Sequence, residues 1–298
     1  MAKKTGSKAP QDFVKKHDFL ICVDSDGCAV DTMDIKHFRC FGPCMVAEWG
    51  LEKWQEPILE RWNVINLYSL TRGINRFLGL SMALSEINDQ YTPIEGIDTL
   101  KAWAENAKEL SNPALEAEIE RLEAGHHDGQ DDPDYQDAAI LKKALAWSKA
   151  VNASIAQLPW EVKKAFPGVK EGFEAVKDFA DIAIVSAANR DAVEEEWDRF
   201  GLLPLVDVMM CQDVGNKAHC ISVMLEKGYA PDHVLMCGDA PGDKAAAEKN
   251  GVFYYPILVR HEKESWNEFP HAASLLREGA YAPYGEVKAK EFIDNLTK

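Results

Sequence analysis

The chain has 298 residues, 46% hydrophobic and 28% charged, long enough to bury a sizeable core and ordinary in composition for a soluble globular protein. Its formal net charge of −16 works against nucleic acid and anionic membrane surfaces as partners. The same charge repels a phosphorylated metabolite, so any phosphate site must supply local positive charge, for which a lysine and a divalent cation are the usual means. No stretch approaches the roughly 18 to 20 continuous apolar residues of a membrane span. Seven cysteines, an odd number without a secretory signal, fit reduced cytoplasmic thiols. Cys40 and Cys44 have no second pair to complete a zinc site.

Residues 1–16, with Lys3, Lys4 and Lys8 but no apolar run behind them, read as a disordered tail rather than a signal peptide. Phe19-Leu-Ile-Cys-Val23 is a short apolar run ending in Asp24, the pattern of a buried parallel strand, and Ser25-Asp26-Gly27 must turn. Residues 33–165 then show helical spacing and no period-2 strand. Trp54, Ile58, Trp62 and Ile65 lie three or four apart. Pro93 opens a helix to Leu110, Pro113 another through Leu122, and Tyr135–Leu158 a third, after a breaker-rich polar loop at 125–133.

From Pro167-Gly168 onward the pattern becomes βα alternation. A helix at Gly172–Phe179 precedes a strand at Ile182–Val185 that ends in Ser186. A helix at Asp191–Phe200, a strand at Val206–Cys211 and a helix at Lys217–Lys227 follow. Val234–Cys237 is a strand running into Gly238-Asp239, Asp243–Lys249 a helix, and Val252–Val259 a last strand. The segment 262–298 reads as helical and irregular, packing on the core. Strands separated by single helices imply an α/β fold with a doubly wound parallel sheet. The first strand joins that sheet only if the helical block is an insertion. The expected organisation is therefore a core of residues 17–32 and 166–298 with an all-helical domain, 33–165, inserted after the first strand.

In such a sheet ligands bind beyond the carboxyl ends of the strands. There the sequence places Asp24, Asp26, Ser186, Lys217, Asp239 and Asp243. Four acids, a hydroxyl and an ammonium suit a divalent cation and a phosphoryl group held together. Mg²⁺ takes oxygen ligands from carboxylates, and a carboxylate is a competent nucleophile at phosphorus once a cation cancels the repulsion. Asp26, two residues past Asp24, can serve as a second acid beside the leaving oxygen.

Asp24-Ser-Asp26-Gly27, Ser186 after an apolar strand, Lys217 opening a helix, and Gly238-Asp239-Ala-Pro-Gly-Asp243 resemble the four motifs of the haloacid dehalogenase-like superfamily, in order, over residues 17–36 and 166–260. The resemblance implies a Rossmann-like core in which Asp24 is nucleophile and metal ligand. It also implies that Asp26 is the general acid/base and lends its backbone carbonyl to Mg²⁺. Ser186 and Lys217 would hold the phosphoryl group. Asp239 would be the remaining ligand, with Asp243 behind it or on metal-bound water. Members that cleave carbon–halogen bonds lack the second aspartate, so Asp26 points to phosphate chemistry. The helical insertion looks like the family's C1 cap, whose closure over the site favours a small substrate. The expected activity is a Mg²⁺-dependent phosphohydrolase for a small phosphorylated metabolite. A phosphotransferase or mutase uses the same aspartyl-phosphate, and a non-catalytic binding protein on the same scaffold is the alternative from another class. The sequence decides neither the substrate nor the oligomeric state.

Outside the four motifs, Arg72 and Arg76, four apart around Gly73, read as one helical face that either grips substrate or pairs with nearby acids. Asn189 and Arg190 follow Ser186 and could line the pocket, while Asn189 could equally cap the next helix. Cys28 reads as a small buried thiol, and Asp31-Thr32 as a backbone brace. His126, His127 and Asp128 read as a solvated loop rather than a metal site.

Overall fold

The computed structural model describes residues 9–125 and 133–297, so His126, His127 and Asp128 lie outside the described residues. Two compact units emerge: Met1–Met33 with Glu161–Lys298, and Asp34–Trp160.

The first unit is built on seven strands: β1 (Phe19–Val23), β2 (Val30–Asp31), β3 (Lys164–Ala165), β4 (Ala180–Val185), β5 (Val208–Met210), β6 (Val234–Gly238) and β7 (Phe253–Pro256). Five form a parallel sheet in the order β5-β4-β1-β6-β7. Every residue of β4 and β6 is buried, as expected for parallel strands with helices on both faces. The chain runs from β1 outward to β4 and β5, then returns to the other side of β1 for β6 and β7. The order therefore reverses at β1 and β6, which places the ligand crevice of a doubly wound sheet beyond Val23 and Gly238.

Helices Val169–Val176, Arg190–Arg199, Lys217–Leu225 and Pro241–Asn250 make the crossovers. Asparagines begin two of them. Asn189 Oδ1 accepts from Asp191 N and Ala192 N, and Asn216 Oδ1 accepts from His219 N. On one side the core is aromatic: Phe173 stacks on Trp197 at 5.7 Å and meets Trp266 edge-on, and Trp266 packs on Phe269.

Three expectations for this unit need correction. The segment 262–298 is regular, not irregular: helices Glu262–Arg277 and Tyr281–Leu296 supply Trp266, Phe269, Leu276 and Tyr281 to the core. Residues 9–16 are docked, with Phe13 only 3% exposed and Lys16 N donating to Asp181 Oδ2, whereas residues 1–8 lie outside those described. And β3 falls in a span where no strand was expected. It pairs antiparallel with β2, Val30 opposite Ala165 and Asp31 opposite Lys164, and Phe166 N donates to Ala29 O at 3.0 Å. Strands of two residues carry no periodicity for a sequence pattern to display.

The second unit is helical throughout its described residues, with a core of Trp62, Phe77, Leu80, Leu84, Leu100, Trp103, Leu141 and Trp147. Ile58, Trp62 and Ile65 are buried on one face of Gln55–Leu67, as their spacing predicts. That helix stops at Leu67; Gly73 turns with φ 68°, and a new helix, Arg76–Gln90, starts from Asn75, whose side chain accepts from Phe77 N at 2.9 Å. Arg72 and Arg76 thus do not share a helical face. The helix expected from Pro93 to Leu110 is shorter, Ile97–Asn106, because Gly96 at φ 73° precedes it.

Candidate active site

The site begins with β1. Its four buried residues leave Asp24 as the first polar group past the strand, and Asp24 N donates to Cys237 O at 3.0 Å, which fixes it against β6. The chain then folds tightly on Ser25, whose carbonyl accepts from Cys28 N, Ala29 N and Val30 N. Ser25 Oγ accepts from Trp197 Nε1 at 2.9 Å, so the core holds the loop from below. Gly27 has φ 82°, which a side chain would resist. This turn presents Asp26 two residues beyond Asp24, and Thr32 Oγ1 donates a hydrogen bond to Asp26 Oδ1.

Gly238 ends β6, and its carbonyl accepts from both Ile257 N (2.8 Å) and Tyr254 Oη (2.9 Å). The next residue, Asp239, is fully buried. A Cβ on Gly238 would lie 2.3 Å from the Cβ and Cγ of Asp243, so glycine is what admits that carboxylate. Asp243 sits in the first turn of Pro241–Asn250, where its Oδ2 accepts from Ala240 N at 3.1 Å and the helix dipole favours its charge.

Lys217 opens its helix and reaches between two of these acids: its Nζ is 2.8 Å from Asp24 Oδ2 and 2.6 Å from Asp243 Oδ1. Asp24, Asp239 and Asp243 are all buried, and each places a carboxylate oxygen within 4.8 Å of the others. Asp24 and Asp243 share one ammonium, with the Asp239 carboxylate crowded beside theirs. Burial pushes the Asp24 carboxyl up; Lys217 opposes that, while Asp243 and Asp239 push the same way, and the result is about 8. Burial works against the charge of Lys217, but Asp24 and Asp243 more than offset it and hold its pKa above the ordinary value. The pocket therefore carries an excess of negative charge that a cation would neutralise. Carboxylate oxygens in this number suit a hard divalent ion.

Ser186 follows β4, beside β1 on the same rim, 3% exposed, its Oγ accepting from Ala188 N at 3.2 Å. Asn189 is exposed and its side-chain oxygen is occupied as a helix cap. Arg190 braces the neighbouring loop through Asp213 Oδ2 (2.8 Å) and Met209 O (3.1 Å). In the helical unit, Arg72 is 3% exposed and donates to Leu67 O. Arg76 donates to Ser148 and to Asn152 Oδ1 and lies 5.1 Å from the Phe41 ring centroid. Arg72 is thus buried and Arg76 half-buried, where the alternative reading pictured an exposed helix face. Cys28 is buried, its Sγ against Cys237 O at 3.5 Å, and burial raises its pKa, so it packs as a neutral thiol. Thr32 was undervalued as a backbone brace: its hydroxyl orients a carboxylate of the rim. Its nearness to Asp26 depends on the turn at Gly27, which spacing alone does not reveal.

The family model described as haloacid dehalogenase-like hydrolase matches residues 95–256. That span holds Ser186, Lys217, Asp239 and Asp243 but not Asp24 or Asp26, which join the site through the geometry of β1. Solved structures with distant similarity include a haloacid dehalogenase-like family hydrolase from Streptococcus pneumoniae (12% identity, 83% of this chain and 90% of that one, TM-score 0.42). A candidate β-phosphoglucomutase from Thermotoga maritima is 16% identical over 80% of this chain and 84% of its own, with a TM-score of 0.46. A candidate phosphoglycolate phosphatase from Lactobacillus delbrueckii is 13% identical over 80% and 85%, also at 0.46. No curated protein matches the sequence.

Proposed function

The chain belongs to the haloacid dehalogenase-like hydrolase family, and from the rim we propose a Mg²⁺-dependent phosphohydrolase that acts on a small phosphorylated metabolite through an aspartyl-phosphate on Asp24. The observation that carries this reading is the buried set of Asp24, Asp239 and Asp243, with Lys217 paired to Asp24 and Asp243.

Lys217 Nζ fixes Asp24 Oδ2 and so orients the carboxylate that attacks phosphorus. One bond forms between Asp24 and phosphorus, and the bond from phosphorus to the ester oxygen breaks. Asp26, held by Thr32, protonates that leaving oxygen. The same Asp26 then takes a proton from the water that attacks the aspartyl-phosphate, which releases inorganic phosphate and restores Asp24. Ser186 donates a hydrogen bond, and Lys217 a charge, to the phosphoryl oxygens. The donor set fits Mg²⁺: Asp24, Asp239 and the backbone carbonyl of Asp26 would hold it. Asp243 is committed to Lys217 and Ala240 N, which leaves it behind the direct ligands. When bound, the ion supplies the positive charge that lets a carboxylate approach a phosphoryl group.

The presence of Asp26 with an orienting partner supports phosphoryl transfer over halide expulsion, which needs no proton. A panel of phosphorylated metabolites assayed with and without Mg²⁺, beside Asp24→Asn, tests the proposal. Turnover that requires Mg²⁺ and disappears in Asp24→Asn is the expected result. Unchanged turnover in Asp24→Asn contradicts the nucleophile, and no turnover of any compound by the wild type favours a binding protein.

A further inference from the structure

Eleven described residues have left-handed backbone, and ten of them are glycine; the eleventh is Arg260, at φ 65°. An L side chain adopts that conformation only where its surroundings impose it, and such residues gather at functional sites. The surroundings here are specific. Ile257 N donates to Gly238 O at 2.8 Å, Leu258 N to Ser265 Oγ at 3.0 Å, and His261 N to Leu258 O at 2.9 Å. Asn295 Nδ2 donates to Val259 O, and Arg260 N itself donates to Glu262 Oε1 at 2.9 Å. Ile257 and Val259 are buried on either side, while Arg260 is exposed. Glycine would make this turn without strain.

The loop stands at the rim end of the sheet. β7 lies parallel beside β6 with Pro256 opposite Gly238, so the chain leaves β7 at the same end of the sheet as Asp24 and Asp239. The loop is tied to the very carbonyl that precedes Asp239. Lys217, the cation at the centre of this rim, is committed to Asp24 and Asp243. In a chain of net charge −16, an anionic substrate needs further positive charge at the point of entry. A guanidinium supplies it in a planar fork that fits oxyanions.

We propose that Arg260 is a substrate-binding residue that takes a second oxyanionic group, a carboxylate or another phosphate, on the body of the phosphorylated substrate. This rests on the phosphohydrolase reading and narrows its substrates to esters with two anionic groups.

The test compares wild type, Arg260→Gly, Arg260→Lys and Asp24→Asn on p-nitrophenyl phosphate, which has one anionic group, and on 3-phosphoglycerate and fructose 1,6-bisphosphate, which have two. In Arg260→Gly the KM for a doubly anionic ester should rise about tenfold more than that for p-nitrophenyl phosphate, with the loss in KM rather than kcat. Its Tm should not fall below wild type, because glycine relieves the backbone. Arg260→Lys should recover only part of the loss. The same ratio of KM values in wild type and Arg260→Gly overturns the role of Arg260 while Asp24→Asn still reports on the chemistry. Absence of turnover of all three esters by the wild type overturns the underlying reading, and this proposal with it.

Discussion

The two ends of the central sheet bury charge in opposite ways. Beyond the carboxyl ends of β1 and β6, Asp24, Asp239 and Asp243 crowd together, and Lys217 pairs with the first and the last. At the other end Asp181, at the start of β4, is equally buried, but its Oδ2 collects Lys16 N, His17 N and Tyr229 Oη, the last at 2.6 Å. Asp207 beside it accepts from Ile182 N and pairs with Lys16 Nζ. One end uses its carboxylates to fasten the chain; the other holds them in excess. A protein built for stability alone has no need of the second arrangement, since buried ionic clusters are often replaced by well-packed apolar groups with no loss of stability. On the proposed function that excess is what draws a cation to the rim, and the contrast can be broken from either end.

The largest effect is expected at the crowded end. Asp24→Asn should lower turnover by about 10³-fold or more, while the metal-free protein should be at least as thermostable as wild type because the cost of burying that carboxyl is gone. A loss of Tm would place Asp24 with the fastening carboxylates. Lys217→Ala leaves Asp24 and Asp243 without the cation they share, so turnover should fall about 10²- to 10³-fold and the metal-free Tm should fall as well, with added Mg²⁺ restoring more of it than in wild type. Equal rescue of the two proteins would contradict the charge excess.

At the fastening end, Asp181→Ala strands three donors, so it should destabilise the fold by about 3 kcal/mol in denaturant titration and leave kcat per folded molecule unaltered. A change in kcat would mean that the ends are not separable. Thr32→Val keeps the shape but removes the hydroxyl on Asp26, and should cost about tenfold in kcat with a displaced acidic limb of the pH profile. A pH profile identical to wild type would return Thr32 to a structural role.

The smallest effect is a pH dependence of metal binding. With its folded pKa raised to about 8, above the ordinary carboxylate value, Asp24 holds its proton in the folded protein where the unfolded chain has lost it. Its contribution to stability is therefore present at low pH and is lost as pH rises through about 8. A cation competes with that proton, so the Tm increment from a fixed Mg²⁺ concentration should grow from pH 6 to pH 8 in scanning calorimetry. A constant increment would contradict the linkage.

Much of the crowded end was legible in the sequence because each residue stands where an apolar run stops: Asp24 after Phe19–Val23, Ser186 after Ile182–Val185, Asp239 after Val234–Cys237. Parallel strands advertise themselves by unbroken burial, and the acid that ends the run is conspicuous. The fastening end was not legible, because Asp181 makes its bonds to backbone groups of residues far along the chain that carry no residue-type signal. Arg72 and Arg76 misled because Gly73 breaks the helix between them, and a spacing of four means a shared face only in a continuous helix. The helix Arg76–Gln90 escaped notice since Gly79, Ser81, Ser85 and Asn88 dilute its apolar stripe. The Thr32 contact and the strain at Arg260 are consequences of turn geometry, visible only once the backbone is placed.

The most direct measurement is acid-quenched single-turnover mass spectrometry with a substrate that the wild type hydrolyses, digested so that the peptide carrying Asp24 is resolved. The account predicts that this peptide transiently gains the mass of one phosphoryl group on Asp24, and that the gain is lost in Asp24→Asn. Turnover of the same substrate by the wild type with the label on another residue would contradict it.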